Sequence, residues 1–251
     1  MLFSANSALL ISNFSSLKLR VVLNSQINEK NLLAWGYNIS ESDLYNDIES
    51  VHPIIERLMS EPNFLVGEMY LDSIKNAIIN FTANIEAYLK NSLSLYMKRN
   101  YSLIRKGLAE EKISIEAKDV FDFDDIKEIR EKYIYIISDY KSLGELWSKK
   151  FKKYSKFIGI PKEFSSNKIH SRIDAFWKLR NDISHNNRRG LCLEVDGDKF
   201  QYSRHMEQEE YMKFIELFIR LVDDVRNFLL EVEEKALEIW NVTDGELLRS
   251  N

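Results

Sequence analysis

The 251-residue sequence holds one cysteine, three prolines and eight glycines, and each scarcity excludes something. With Cys192 alone, there is no disulfide framework and no cysteine-based zinc site. A reducing cytoplasm is the expected compartment. So few prolines and glycines argue for long, uninterrupted helices rather than many tight turns. No window reaches the roughly 18 uninterrupted apolar residues of a membrane span; "FIELFIRLV" is broken by Glu216 and Arg220. The opening "MLFSANSALLISNF" has no basic region ahead of its short apolar run, so it is not read as a signal peptide. There is no phosphate-binding glycine loop either, which removes the common nucleotide-dependent enzyme classes.

What is present is ordinary for a folded protein: 45% hydrophobic and 29% charged residues, a balance that excludes global disorder. The formal net charge of −4 is unevenly spread. Between Lys141 and Arg189 there are 13 Lys or Arg against 4 Asp or Glu, a local +9 that leaves −13 for the rest. Such asymmetry fits one basic face suited to an anionic partner. "SKKFKKYSK" by itself also fits a plain solvated helix face.

The spacing predicts a nearly all-α domain. Residues 1–62 read as an N-terminal helical arm and 63–251 as the main helical domain. From Glu68 to Lys98 a long amphipathic helix places Ile74, Ile78, Phe81, Ile85, Leu89 and Tyr96 on one stripe, with Glu86 beside it. Residues 105–123 lose the helical period and read as a loop or insertion. A helix follows from Asp124 to Tyr140, then another opened by Ser142 as N-cap with Glu145 at the capping-box position. Ser165 or Ser166 caps the next. "LCLEVDGDKFQYS" alternates apolar and polar residues around Asp196-Gly197 and predicts a small β-hairpin at 191–203. The last helix, Glu207 to Leu237, buries Tyr211, Phe214, Phe218, Leu221, Val225, Phe228 and Val232.

The segment "FWKLRNDISHNNRR", Phe176 to Arg189, carries the chemistry. Arg180 falls inside the inward stripe of Ile169, Ile173, Phe176 and Ile183, where an arginine is seldom buried unless paired or held for a ligand. Asp174, Asn181 and His185 share a second face. Arg180 and His185 are five apart, about 140° around a regular helix. They converge on one phosphate only if the helix ends near Ser184, or if a second subunit contributes. A guanidinium binds phosphate oxygens in a fork. An imidazole can take a proton from a ribose 2′-hydroxyl or give one to the leaving 5′-oxygen. Together they suit RNA cleavage without a metal or other cofactor, and DNA lacks the attacking hydroxyl. The spacing alone turns up by chance roughly 0.6 times in such a chain, so only its surroundings in the sequence give it weight. The structural alternative is an ion-pair network at a helix end, with His185 favoured there by the dipole.

"LRNDISHNNR" resembles the signature of the HEPN superfamily, an arginine followed after four to six residues by a histidine, and most closely its Abi-like (abortive infection) branch. "KSLGELW" is similar to a Leu-Gly turn of several HEPN families, and "FTANIEAYLKNSL" resembles the first long HEPN helix, with Glu86 as its polar residue. The likeness spans roughly residues 68–240 in architecture and is sharp only at Arg180–Arg189. It implies an all-α HEPN-type helical bundle, usually a two-fold dimer whose Arg/His pairs face each other. It implies a metal-independent endoribonuclease, typically a toxin or antiphage effector. Arg180 would hold the scissile phosphate, His185 would be the general acid/base and Asn181 would orient one of them. Arg188, Arg189 and Lys178 would contact phosphates, and Glu86 would support a buried cation, Arg180 for instance. Such a toxin needs an inhibitor, an antitoxin protein or an inhibitory RNA, which the sequence does not name. The tyrosine that commonly follows the histidine by two residues is Asn187 here, so its modification is not available as a control. The other reading is a non-catalytic module that binds RNA or a partner protein. His170 and Asp174, four apart, are too few for a metal site. "IEAK" at 115–118 lacks the acidic residue a metal-dependent nuclease needs.

Overall fold

The computed structural model describes residues 5–42, 52–111, 126–142, 146–186 and 190–239. Among them are ten helices and one two-stranded antiparallel hairpin, so the fold is all-α with a small β element. The helices are α1 (Ala5–Asn24), α2 (Glu29–Ser40), α3 (His52–Ser60), α4 (Pro62–Arg99), α5 (Tyr101–Glu111), α6 (Ile126–Ser142), α7 (Trp147–Ile158), α8 (Lys162–Ser165), α9 (Ile169–Asn186) and α10 (Gln208–Ile239). Strands β1 (Gly190–Val195) and β2 (Asp198–Ser203) lie between α9 and α10. No described helix is long and apolar enough to cross a membrane.

The chain divides into two compact units. The first holds Met1–Asn13, Thr82–Asp174 and Asp224–Asn251. Its core is built from α4, α7 and α10, with Ile85, Leu89, Phe151, Tyr154, Phe157 and Val232 buried. Several polar groups inside it are satisfied across elements, although the Ser138 hydroxyl is buried without a partner. Ser7 of α1 donates to the buried Glu233, Tyr88 donates to the Leu229 carbonyl at 3.3 Å, and Ser92 and Tyr154 share a 3.1 Å hydrogen bond. Buried polar groups without partners are costly, so this network fixes which residues face each other.

Three local expectations fail in this unit, the first two for a tertiary reason. Residues 105–111 are helical, in α5, rather than loop. The period is obscured by Gly107, which is small because a Cβ there would lie 2.8 Å from Ile137 Cγ2 of α6. Residues 112–125, with the rest of the expected insertion and Ile115–Lys118, lie outside the described residues. Ser142 ends α6 instead of capping α7, and Glu145 lies outside the described residues. α7 starts at Trp147 after an extended Leu146 with no side-chain cap of its own. Its first turn is capped from another helix: the Ser148 N–H donates to Asp174 Oδ1 at 2.9 Å. At its other end Gly159, at φ +84°, closes the helix in the left-handed conformation. Nor do Ser165 and Ser166 cap α9; the Ile169 N–H donates to Asn167 Oδ1 at 2.9 Å.

The second unit holds Phe14–Phe81 and Ala175–Asp223. Its core is a chain of aromatic rings. Phe81 lies 5.7 Å from both Phe14 and Phe218, centroid to centroid, and 6.0 Å from Phe176. Phe214 stacks on Phe218 at 5.3 Å. Each fully buried Phe contributes about 1.5–3 kcal/mol by removal from water, and such pairs add about 0.5–1.5 kcal/mol each. Tyr211 of α10 donates to the Val21 carbonyl of α1 at 3.1 Å and shares a 2.6 Å bond with Ser73 of α4. The hairpin has the expected two-residue turn, with Asp196 and Gly197 at φ +54° and +91°, the geometry that matches strand twist. Leu191 pairs with Tyr202 and Leu193 with Phe200. Tyr202 packs edge-on against Phe214 at 5.6 Å, which seats the hairpin on α10.

Candidate functional site

The site helix α9 is anchored by its apolar stripe. Ile169, Ile173, Phe176, Trp177 and Leu179 are buried. The stripe fades towards the C-terminus: Arg180 and Ile183 are half-buried, and Lys178 and His185 are exposed. Arg180 therefore sits at the margin of the core. That position costs a guanidinium far less than full burial and leaves its head accessible.

Arg180 Nη1 donates to Asn181 Oδ1 at 3.2 Å. Asn181 is itself half-buried. Among the described residues no carboxylate pairs with Arg180 or with His185, which contrasts with the paired arginines elsewhere. Arg57 and Arg204 both reach Glu68, at 3.0 and 3.3 Å. For Arg180 and His185, the structural alternative of an ion-pair network thus finds no carboxylate partner among the described residues. Arg188 and Arg189 lie outside the described residues.

α9 runs through Asn186, so Arg180 and His185 stand on one helix, about 140° apart in regular geometry. His185 lies in the last turn, where the helix dipole favours a cation.

Glu86 is held to a different cation from the one expected. Its carboxylate accepts from the ammonium of Lys150, a residue of the "SKKFKKYSK" run whose side chain is only 3% exposed. Sequence reasoning placed Lys150 with the solvated lysines. The signal that distinguishes it is its helical phase, one residue before Phe151 and four before Tyr154, both buried.

His170 is a core histidine. Its Nδ1 accepts from Trp147 Nε1 at 2.8 Å, and its Nε2–H donates to the Phe164 carbonyl at 2.6 Å. Burial lowers its pKa from the ordinary value, against smaller opposing effects of the Phe164 carbonyl and Asp174. Both nitrogens are committed, and Asp174 is used as the α7 cap. Among the described residues there is no group of three or more His, Cys, Asp or Glu placed to hold a metal ion.

No curated protein and no solved structure matches the chain. A family model does: RiboL-PSP-HEPN, over residues 43–231. The match contains all of α9, the hairpin and most of α10, and covers about three quarters of the chain. It names the same superfamily as the Arg180–Arg189 resemblance, though not the Abi-like branch. HEPN domains are generally ribonucleases or RNA-binding modules, and they often dimerise. The chain belongs to the RiboL-PSP-HEPN family, and so to the HEPN superfamily.

Proposed function

We propose that the protein is a metal-independent HEPN endoribonuclease of the Abi-like type, acting as a homodimer in antiphage defence (abortive infection) or as a toxin. One observation carries the reading: Arg180 is a half-buried arginine bonded to a neutral amide and to no carboxylate among the described residues, and an exposed histidine follows it on the same helix. An unpaired guanidinium at a core margin is an anion-binding group.

In this mechanism Arg180 holds a non-bridging oxygen of the scissile phosphate, and Asn181 fixes the guanidinium from one side. His185 takes the proton from the 2′-hydroxyl as the 2′-oxygen–phosphorus bond forms. The phosphorus–5′-oxygen bond breaks, the 5′-oxygen receives a proton, and a 2′,3′-cyclic phosphate is left. Because Arg180 and His185 diverge on one helix, a second copy supplies the facing half of the site. A two-fold dimer with α9 near its axis meets that need.

The same divergence favours a second reading, a non-catalytic RNA-binding module in which Arg180 contacts phosphate and His185 does no chemistry. Regulated expression in a bacterium of wild type, His185→Ala and Arg180→Ala, with total RNA examined after induction, separates the two. The nuclease reading expects growth arrest and RNA fragmentation from the wild type alone, and cleavage in vitro that persists in chelator. Wild type and both variants equally harmless, with salt-sensitive RNA retention lost only in Arg180→Ala, would support the binding module.

A further inference from the structure

The lysine run of α7 resolves into two faces. Lys150 turns inward to Glu86, whereas Lys149, Lys152, Lys153 and Lys156 are exposed. On a regular helix these four fall within an arc of about 100° and span about 10 Å of the axis. Lys106 of α5 continues the charge past the end of the helix. Its ammonium lies 2.9 Å from the Phe157 carbonyl oxygen and 3.3 Å from that of Lys156. We propose that this face is a track for the phosphate backbone of single-stranded RNA, independent of sequence and additional to the Arg180 contact. The identity of the occupant rests on the RNA reading above; the track itself rests on the charge.

Two features separate this face from an ordinary solvated one. The first is its lack of carboxylates. Lysines of α4 and α10 pair along their own helices: Lys75 with Asp72 at 3.3 Å, Lys213 with Glu209 at 2.9 Å and Lys235 with Glu238 at 2.5 Å. α7 contains no Asp or Glu, and among the described residues no carboxylate pairs with Lys152 or Lys156. Like charges three and four residues apart repel each other, and a bound polyanion relieves that repulsion. The second feature is that the face offers nothing but charge. α7 has no arginine, its aromatic rings are buried, and none of the exposed large apolar side chains belongs to it. A protein partner would need aromatic or arginine anchors, and lysine is depleted from such interfaces. Seating in a membrane surface would need an apolar face, and stacking on bases would need exposed rings. Lysine ammoniums are point charges on flexible stems, which suit a chain of phosphates approached from any angle. At roughly 3.4 Å per phosphate along one stacked strand, the face matches about three phosphates.

The test compares the full-length wild type with Lys152→Gln/Lys156→Gln and with a control, Lys30→Gln/Lys199→Gln, by filter retention of labelled single-stranded RNA across a salt series. Both doubles remove two exposed positive charges, the control from the second unit. Each lost phosphate contact lowers the slope of log affinity against log salt by about 0.7, so the α7 double should lose about 1.4. Its deficit against wild type should then grow about 25-fold between 1 M and 0.1 M salt, equally for RNAs of different sequence. The control should keep the wild-type slope. Lys152→Arg/Lys156→Arg should keep it too, because the track needs the charge and not the lysine. The melting temperature of the α7 Gln double should hold or rise as repulsion is relieved, which separates lost binding from lost folding. A slope equal to that of the control overturns the track, as does a deficit confined to one RNA sequence. So does an unchanged RNA slope with lost binding to vesicles of anionic lipid, which assigns the face to a membrane surface. If the α7 double keeps the wild-type slope while Arg180→Ala loses affinity, the track falls and the RNA reading stands. A reduced slope in the α7 double with Arg180→Ala unaffected keeps the track and discards Arg180. If the wild type retains no RNA at any salt, both fall.

Discussion

Lys150 and Glu86, 64 residues apart, form an ion pair in which the ammonium is 3% and the carboxylate 32% exposed. Taking the ammonium out of water is unfavourable, and the pair is tolerated because Glu86 meets it at the edge of the core. Removing a partner from a buried pair costs about 3–5 kcal/mol. The partial exposure of Glu86 screens some of that, so Glu86→Ala should destabilise by about 2 kcal/mol. Glu86→Gln, which keeps an acceptor without the charge, should fall between. Denaturant midpoints of the three proteins check the order, and an unshifted Glu86→Ala would mean that Lys150 has a sufficient second partner.

Burial and a filled hydrogen-bond set keep His170 neutral in the native state, with its pKa below the ordinary value of 6.5. The unfolded chain takes up a proton as pH falls through that ordinary value, while the native histidine does not. Its contribution to stability is therefore complete above about pH 6.5 and is lost as pH falls towards the depressed native value. His170→Gln should lose less thermal stability than wild type between pH 7.5 and pH 5.5, even if it starts lower. Equal losses would show that the other three histidines or the carboxylates set the acid limb.

Gly67 of α4 approaches the chain after the hairpin so closely that a Cβ would stand 2.1 Å from the Arg204 carbonyl oxygen. Backbone cannot swing aside as a side chain can. Gly67→Ala should therefore cost at least the 1–3 kcal/mol of ordinary overpacking, despite the better helix propensity of alanine. Gly107→Ala, which meets only the Ile137 side chain, should cost less. Thermal melts of both variants test the ranking, and reversal would mean that the Arg204 turn shifts freely.

What could be read without coordinates follows a physical divide. The stripes of α4 and α10 were legible because repeated apolar spacing over 38 and 32 residues leaves one solution. The hairpin was legible because Asp196-Gly197 is chemistry for one turn type. The misread features depend on groups far away in sequence. α7 begins where it does because Asp174 caps it, and Gly107 belongs to a helix because Ile137 fills the space a side chain would need. In the site segment, the residue types at 180, 181 and 185 were readable. Their separation was readable too, since five residues on a regular helix put Arg180 and His185 about 140° apart. Lys150 was hidden by its basic neighbours, and the Tyr202 hydroxyl could not be known as unpartnered until the hairpin was placed.

The bond from Arg180 to Asn181 supplies the sharpest test of the RNA reading. As an amide, Asn181 steadies the guanidinium without neutralising it. A carboxylate at that position would form a charge-assisted pair with the same nitrogen and compete with phosphate for it. A hydrogen bond to a charged group contributes about 1.5–3 kcal/mol, so Asn181→Asp should weaken RNA retention by about 10–100-fold. Asn181→Ala, which frees the guanidinium without opposing it, should lose only a few-fold. Folding stability should not follow this order, since Asn181→Asp adds an ion pair to the native state. The salt dependence carries the assignment further. Losing one phosphate contact on single-stranded RNA lowers the slope of log affinity against log salt by about 0.7, so Asn181→Asp and Arg180→Ala should show the same reduced slope and Asn181→Ala the wild-type one. Filter retention of a labelled RNA across a salt series measures all of this. Equal affinities and slopes for Asn181→Asp and Asn181→Ala would mean that Arg180 does not touch phosphate, and both the nuclease and the RNA-binding readings would lose their anchoring residue.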